Sequence, residues 1–178
     1  MQYIDYYHDN IVKYDLINKF YYKNIKTLPK ITKIVVNFNY KKQNLKILMV
    51  SLVALELISF QKPIFIKSKK SNITLKIRKG QPIGCKITLR NLNLKIFITK
   101  LIYEIFYSSK RNLFNTLKKT NKNFSVFSFQ IKNSLIFSEL EFNYQIFKYL
   151  TNLNITIICN NNTFSELKFL LKSYKIIK

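Results

Sequence analysis

Both glycines of this 178-residue chain, Gly80 and Gly84, lie within the segment 60–90. The same segment contains two of the three prolines and two of the three arginines, and it contains no carboxylate. Glycine and proline interrupt regular structure more strongly than other residues do. The 60–90 segment therefore constrains the fold more than any other part of the chain.

Two runs within the 60–90 segment alternate apolar and polar residues, which is typical of strands with one buried face. Ile73, Leu75 and Ile77 alternate with Thr74, Lys76 and Arg78; further on, Ile83, Cys85, Ile87 and Leu89 alternate with Gly84, Lys86, Thr88 and Arg90. The residues between the runs, Lys79-Gly80-Gln81-Pro82, suit a turn. The pattern predicts a hairpin with one apolar face and one basic, hydroxyl-bearing face.

Helical periodicity and a capping box predict four helices. The first spans 3–19 with Ile4, Tyr7, Ile11 and Tyr14 on its apolar face, the second runs from Leu45 and ends before Gln61, the third spans 94–105, and Thr163 with Glu166 opens the last. Shorter β-rich runs predict strands at 34–37, 127–131 and 155–159. Alternation also places Glu139 and Glu141 on one side of a strand.

This order of elements predicts an α+β fold in a single domain spanning residues 1–178. We expect an antiparallel sheet with helices packed on one face and the other face open for RNA. A basic sheet surface that carries Thr, Asn, Gln and Lys is suited to contact RNA by shape and through its 2′-hydroxyls.

Charge points to a polyanionic partner. Thirty-one Lys and Arg against eight Asp and Glu give a formal net charge of +23, although 48% of the residues are hydrophobic. Such self-repulsion is relieved by a polyanion. No carboxylate lies between Glu56 and Glu104, and this interval contains the cluster Lys67, Lys69, Lys70, Lys76, Arg78 and Lys79. The cluster predicts nucleic-acid contact, with a merely solvated face as the alternative.

Catalytic and metal chemistry find no support in the sequence. His8 is the only histidine, the carboxylates are scattered, and Cys85 and Cys159 lack metal-ligand spacing. The segment 79–84 has neither a Walker nor a Rossmann pattern. The apolar stretch 47–60 is shorter than the ~20 residues of a membrane span. We expect no enzyme activity, no cofactor, no metal site and no membrane partner, and two buried cysteines in strands.

Several motifs resemble those of a known family. Lys30-Ile-Thr-Lys-Ile-Val-Val-Asn37, Gln61-Lys-Pro63, Lys69-Lys-Ser71, Lys76-Ile-Arg78, Gly80-Gln-Pro-Ile-Gly84 and Cys85-Lys-Ile-Thr-Leu-Arg90 follow one another almost without gaps. In order and spacing they resemble the bacterial-type large-subunit ribosomal protein L-five. The resemblance extends over nearly the whole chain, and the stretch 80–90 is its most specific part.

The resemblance implies a protein of the central protuberance that binds 5S rRNA and large-subunit rRNA, contacts P-site tRNA, and bridges to a small-subunit head protein. Other central-protuberance proteins would be neighbours. By position, the rRNA-binding residues would be Asn37, Gln61, Lys62, Lys86, Thr88 and Arg90; the tRNA-contact loop would include Lys69, Lys70, Ser71, Lys76, Arg78 and Lys79.

The chain departs from the family pattern at three places. Family members usually have glycine at the position of Thr74 and an acid at that of Lys79, so this loop is less flexible and more cationic. The family's Arg- and Gly-rich stretch is replaced by a glycine-free, lysine-rich segment at 108–123, a predicted long contact loop. These departures bear on the loop shape and on the small-subunit bridge.

The amino-acid usage favours an organelle-encoded ribosomal protein. Twenty-eight of the cationic residues are lysine, Trp is absent and Ala occurs once, a bias toward amino acids with A/T-rich codons. Acidic residues at Asp5, Asp9 and Asp15 argue against an import signal. We expect the mitochondrial matrix, with a plastid or an A/T-rich bacterium as alternatives. The alternative function is a free-standing RNA-binding module or RNA chaperone.

Overall fold

The computed structural model describes residues 3–40, 45–107, 126–161 and 163–176. Within these ranges the α-helices are α1 (Tyr3–Tyr7), α2 (Lys13–Lys19), α3 (Leu45–Ser59), α4 (Asn91–Lys100), α5 (Ser138–Glu141), α6 (Tyr144–Phe147) and α7 (Phe164–Ser173). Wider π-helical turns occupy His8–Val12 and Leu101–Tyr107, and 3-10 turns occupy Ile25–Thr27 and Ser134–Ile136.

The described strands are β1 (Lys30–Asn39), β2 (Ile64–Lys67), β3 (Pro82–Leu89), β4 (Val126–Ile131) and β5 (Leu153–Asn160). They form one sheet in the order β2-β3-β1-β5-β4, and β2 pairs with β3 in antiparallel register, Phe65 opposite Cys85. The predicted α+β class with an antiparallel sheet is confirmed. Among the described residues, none of the helices has the length and apolarity needed to cross a bilayer.

The described residues divide into two compact units by their contacts. One comprises residues of 1–34, 90–128 and 156–178; the other comprises residues of 35–89 and 129–155. We call them the terminal unit and the central unit. The predicted single domain remains a prediction.

The terminal unit is built around the first helical stretch and α7. The Tyr7 hydroxyl donates to the Ser173 carbonyl at 2.9 Å, and His8 Nδ1 lies 2.8 Å from the Tyr174 hydroxyl. Lys95 of α4 forms a 2.7 Å ion pair with Asp5. These contacts fix the first helix against two later elements.

The predicted apolar face of the first helix is correct at Ile4 and wrong at Ile11 and Tyr14. The buried positions are Ile4, His8, Val12 and Leu16, whereas Ile11 and Tyr14 are exposed. Buried residues spaced by four suit a helix that is locally wider than 3.6 residues per turn, and the π-helical His8–Val12 supplies that widening.

The central unit has α3 packed against β3, with α5 and α6 beside α3. Ser51 Oγ lies 3.1 Å from Cys85 Sγ at this contact. Cys85 and Cys159 are both buried, free and in strands, as predicted. Burial raises the pKa of both thiols, that of Cys159 to about 12.

The predicted hairpin is half right. Pro82–Leu89 is a strand, but its partner is Ile64–Lys67, and Ile73, Leu75 and Ile77 belong to the connecting loop. Ile73 is 92% exposed, so the run has no buried face. Asn72 and Ile77 form an isolated bridge with a turn between them, so the alternating residues lie in a turn and not in a strand.

Two further predictions are wrong. Glu139 and Glu141 lie in the one-turn helix α5 and not in a strand. Strand β1 does not end at Asn37 but continues to Asn39, because Phe38 is buried and extends the alternation by one more pair. The predicted loop at 108–123 lies outside the described residues.

Candidate nucleic-acid interface

Strand β3 presents its two faces differently within the central unit. Cys85, Ile87 and Leu89 are buried, and Cys85 faces α3 through Ser51. Successive side chains of a strand point to opposite faces, so Lys86 and Thr88 point away from α3. Lys86 is exposed and Thr88 is partly exposed. Both predicted rRNA-binding residues of this strand therefore lie on the side that α3 does not cover.

Gly84 allows β1 and β3 to approach closely. A Cβ at this position would overlap the backbone carbonyl oxygen of Phe38 and would lie 3.3 Å from Asn39 Oδ1. The Asn39 side chain uses this space and accepts a 3.4 Å hydrogen bond from Asn37 Nδ2. Because Gly84 has no side chain, the asparagines of β1 lie next to the side of β3 that carries Lys86 and Thr88.

Gln61 joins the same strand from the end of α3. Its Nε2 donates to the Thr88 carbonyl at 3.4 Å, and the next residue, Lys62, is exposed. Gln61 is thus hydrogen-bonded to β3 at Thr88, and Asn37 is hydrogen-bonded to Asn39, which lies beside Gly84 of β3. Arg90 is exposed at the N-terminus of α4 in the terminal unit, where its carbonyl accepts from the Leu94 amide at 3.4 Å.

Sequence reasoning missed three polar residues of the central unit. Asn39 lies beyond the predicted end of β1, so the sequence pattern did not single it out. Gln130 donates to Asn154 at 2.9 Å, and both are partly exposed between buried neighbours on their own strands. A polar residue between two apolar residues in a predicted strand is the sequence pattern that could have identified Gln130 and Asn154.

The predicted tRNA-contact loop is an ordered structure with exposed cations. Lys69, Lys70, Ser71, Lys76, Arg78 and Lys79 are all exposed. At the base of the loop, the Ser68 amide donates to the Gln81 carbonyl at 2.8 Å, and the Gly80 amide donates to the Ser68 carbonyl at 3.0 Å. Gly80 has a φ of +86°, which favours glycine at this closing position.

The tip of this loop is closed by Asn72. Its backbone exchanges hydrogen bonds of 2.8 and 2.9 Å with Ile77, and its Oδ1 accepts from the Thr74 hydroxyl at 2.6 Å. Backbone and short polar side chains therefore determine the loop shape. The lysine and arginine side chains extend from it into solvent and are available to phosphates.

No group of three or more His, Cys, Asp or Glu capable of binding a metal occurs among the described residues. The chemistry that the described surface offers is cationic and amide-rich. These are the groups that contact phosphates, sugars and base edges in nucleic-acid complexes.

Comparison with known proteins agrees with these motifs. Residues 82–177 match the C-terminus of the ribosomal L5 protein family. The chain is 37% identical to the large ribosomal subunit protein uL5m of Reclinomonas americana, over 96% of this chain and 94% of that protein. It is 38% identical to uL5 of Wigglesworthia glossinidia brevipalpis, covering 98% and 97% of the two chains. For uL5 of Nitrosomonas europaea, the identity is 34% and the coverages are 97% and 95%.

These alignments cover both described units and nearly the full length of each relative, so the similarity is not restricted to one motif. The chain belongs to the uL5 family of large ribosomal subunit proteins.

Proposed function

We propose that the protein is a structural constituent of the large ribosomal subunit that binds 5S rRNA and large-subunit rRNA in the central protuberance. Its family comprises structural ribosomal proteins and not enzymes. The proposed rRNA-binding residues of the central unit are Asn37, Gln61, Lys62, Lys86 and Thr88, and Arg90 is the one proposed in the terminal unit.

The observation that carries this proposal is the polar side of β3 and β1 described above. Lys86 and Thr88 point away from α3, Asn37 and Asn39 lie beside the close approach at Gly84, and Gln61 bonds the β3 backbone. Amides and hydroxyls fixed on a sheet are suited to read the sugar and phosphate positions of a folded RNA. The positive charge of Lys86 increases the affinity for RNA, and the fixed amides and hydroxyl determine how the RNA is positioned on the sheet.

The loop 68–81 is the proposed contact to P-site tRNA. The six predicted contact residues are exposed, and they extend from a backbone that is hydrogen-bonded at base and tip. A preordered loop loses less conformational entropy on binding than a mobile one. The proposed bridge to a small-subunit head protein involves residues 108–123, outside the described part of the chain.

We further propose the mitochondrial matrix as the location. The A/T-biased usage of lysine, asparagine and isoleucine supports this, and so does the similarity to the uL5m of Reclinomonas americana. Bacterial relatives are equally similar, so the similarity supports a ribosomal location without distinguishing an organelle from a bacterium. The codon bias is the observation that favours the organelle.

The rRNA surface is tested by measuring the Kd of the full chain for 5S rRNA. Arg90→Ala should weaken binding by about 1.5–3 kcal/mol, because a guanidinium contact to phosphate is a charge-assisted hydrogen bond. The matched control is Lys172→Ala, an exposed cation on α7. Equal effects of the two changes would contradict the assignment of Arg90.

Sedimentation tests assembly separately from affinity. The tagged chain should travel with large subunits through a gradient of high salt, because its surface is enclosed by rRNA. A free-standing RNA chaperone would be released under the same conditions. Release of the chain together with retention of other large-subunit proteins would reject the structural role.

A further inference from the structure

A cavity of about 250 Å³ lies in the terminal unit, and none of the residues assigned to RNA above lines it. Tyr3 and Tyr7 of α1 line one part of it, and Thr99, Tyr103 and Lys175 line others. A shallower depression of about 360 Å³ shares Tyr3, Thr99 and Tyr103 with it and adds Lys100 and Glu104. The two form one groove, which we call the tyrosine groove.

Tyr3, Tyr7 and Tyr103 bring aromatic rings to the lining of the tyrosine groove. Tyr3 and Tyr103 are 68% and 62% exposed, so their rings are accessible to a guest. Tyr7 is more buried, and its ring lies nearly parallel to that of Tyr3, at an interplanar angle of 18° and a centroid distance of 6.2 Å. Such rings are stacking surfaces for a planar guest.

The hydroxyls at the groove offer acceptors. The Tyr7 hydroxyl donates its proton to the Ser173 carbonyl at 2.9 Å, and the Thr99 hydroxyl donates to the Lys95 carbonyl at 2.9 Å. A hydroxyl that already donates retains only oxygen lone pairs for a guest. At the Tyr7 and Thr99 hydroxyls the complementary group of a guest is therefore an N–H, and the exposed rings of Tyr3 and Tyr103 favour a planar guest.

Size and charge narrow the class of guest further. The deeper cavity is smaller than the roughly 300–1,000 Å³ typical of pockets for drug-sized ligands, so it fits one ring system and not an extended cofactor. Lys175 lines the deeper part, while Lys100 and Glu104 line the shallow part. In a chain of net charge +23, an anionic backbone attached to the planar ring is favoured.

We propose that the tyrosine groove binds one unstacked base of single-stranded RNA. The base stacks on Tyr3 and Tyr103, its N–H edge faces the Tyr7 and Thr99 oxygens, and its phosphate lies near Lys175. Every nucleobase has a π-face and an N–H on its pairing edge, so the site tolerates different sequences. The inference rests on the proposed function only in taking RNA as the partner, since its residues are different.

The test uses the full chain and a single-stranded RNA of about eight nucleotides with one 2-aminopurine, whose fluorescence falls when it stacks on an aromatic ring. Tyr3→Leu and Tyr103→Leu should each remove most of the quenching and weaken binding roughly five- to 150-fold, the loss of one base stack. Both side chains are exposed, so the fold should tolerate leucine.

The matched control is Tyr14→Leu, a 61% exposed tyrosine of α2 that does not line the groove. It should retain the quenching and affinity of the unchanged chain. Quenching that survives in Tyr3→Leu and Tyr103→Leu, with the RNA still bound, overturns the groove proposal alone. Failure of the unchanged chain to bind either this RNA or 5S rRNA at low salt overturns the proposed function as well.

Discussion

Gly84 shows how one missing side chain determines a surface. The backbone of β1 approaches so closely that any Cβ would meet the Phe38 carbonyl, and the space that remains is used by Asn39. A glycine in a strand is expected to mark a bulge or a close backbone approach. The alternation of β3 could be read from the sequence, but the identity of the strand that approaches Gly84 could not.

We expect Gly84→Ala to destabilise the protein by about 1–3 kcal/mol, because backbone atoms must move to accept the methyl group. Urea unfolding measures this change. Gly80→Ala is the comparison: it meets no atom within 4 Å but has a φ of +86°. Gly80→Ala should lower the free energy of unfolding by about 1–2 kcal/mol, because alanine is strained in the left-handed backbone conformation.

The two glycines should respond differently to asparagine, which tolerates left-handed backbone. Gly80→Asn should recover part of the stability lost in Gly80→Ala. Gly84→Asn should be no better than Gly84→Ala, because steric overlap and not φ is the cause there. Recovery at both positions would contradict the close approach of β1 and β3.

His8 gives the protein a pH dependence near neutrality. Burial lowers the pKa of this side chain, and the positive charge of Lys30 acts in the same direction. Below its ordinary pKa of about 6.5 the unfolded chain binds a proton that the folded chain resists, so stability is lost as pH falls. The free energy of unfolding, measured by urea titration, should be lower at about pH 5.5 than at about pH 7.5.

The control is His8→Phe, which retains a flat ring beside Tyr174 but cannot titrate. Because His8 is the only histidine, this variant should have the smaller difference in stability between the two pH values. Identical differences in the two proteins would show that carboxylates, and not His8, cause the pH dependence.

At the scale of elements, local sequence rules predicted the secondary structure correctly where a specific motif marks the start of an element. Thr163 and Glu166 form the predicted capping box, with both reciprocal hydrogen bonds at 3.4 Å. Local rules failed at 73–77, where the alternating residues form a turn closed by a bridge and Ile73 is exposed. The helices α5 and α6 were missed because four residues are too short to display a helical period.

The capping box gives a direct prediction. Thr163→Ala should destabilise the protein by about 0.5–2 kcal/mol, because the α7 amide at Glu166 loses its acceptor. Thr163→Ser retains the hydroxyl and should recover most of the loss. Thermal unfolding followed by circular dichroism measures both, and equal loss in the two variants would attribute the effect to the methyl group of threonine.

The base of the loop 68–81 depends on Ser68, which is nearly buried and donates its hydroxyl to the Arg78 carbonyl at 2.5 Å. Ser68→Ala should weaken the closed loop by about 1 kcal/mol and raise trypsin cleavage after Lys76, Arg78 or Lys79 about fivefold. Ser71→Ala, an exposed serine of the same loop, is the control. Equal cleavage rates in the two variants would mean that Ser68 does not order the loop.

At the scale of the whole molecule, composition predicted the kind of partner and the motifs predicted the family. Neither could locate the tyrosine groove, because its residues come from the first helix, from α4 with the turn after it, and from the end of α7. Individual cations could not be assigned from sequence for a related reason: a lysine that contacts phosphate and one that is solvated look identical there.

Net charge predicts how binding responds to salt. If about six to ten lysine and arginine residues contact phosphates, the affinity for 5S rRNA should fall about 10³- to 10⁵-fold between about 50 and 200 mM salt. Replacing Lys69 and Lys70 with Gln should leave that slope unchanged for 5S rRNA, because the loop is assigned to tRNA. A decrease of less than tenfold for the unchanged chain would exclude extensive phosphate contact.

The loop 68–81 separates the residues that determine its shape from those that determine its charge. Ser68, Asn72, Gly80 and Gln81 close it through backbone and short side-chain hydrogen bonds, and these bonds do not use the ammonium groups of the lysines. Mutational pressure toward A/T-rich codons can therefore replace cation by cation on this loop without altering its conformation. The charge carried by this loop can therefore change while the hydrogen bonds that set its shape are retained.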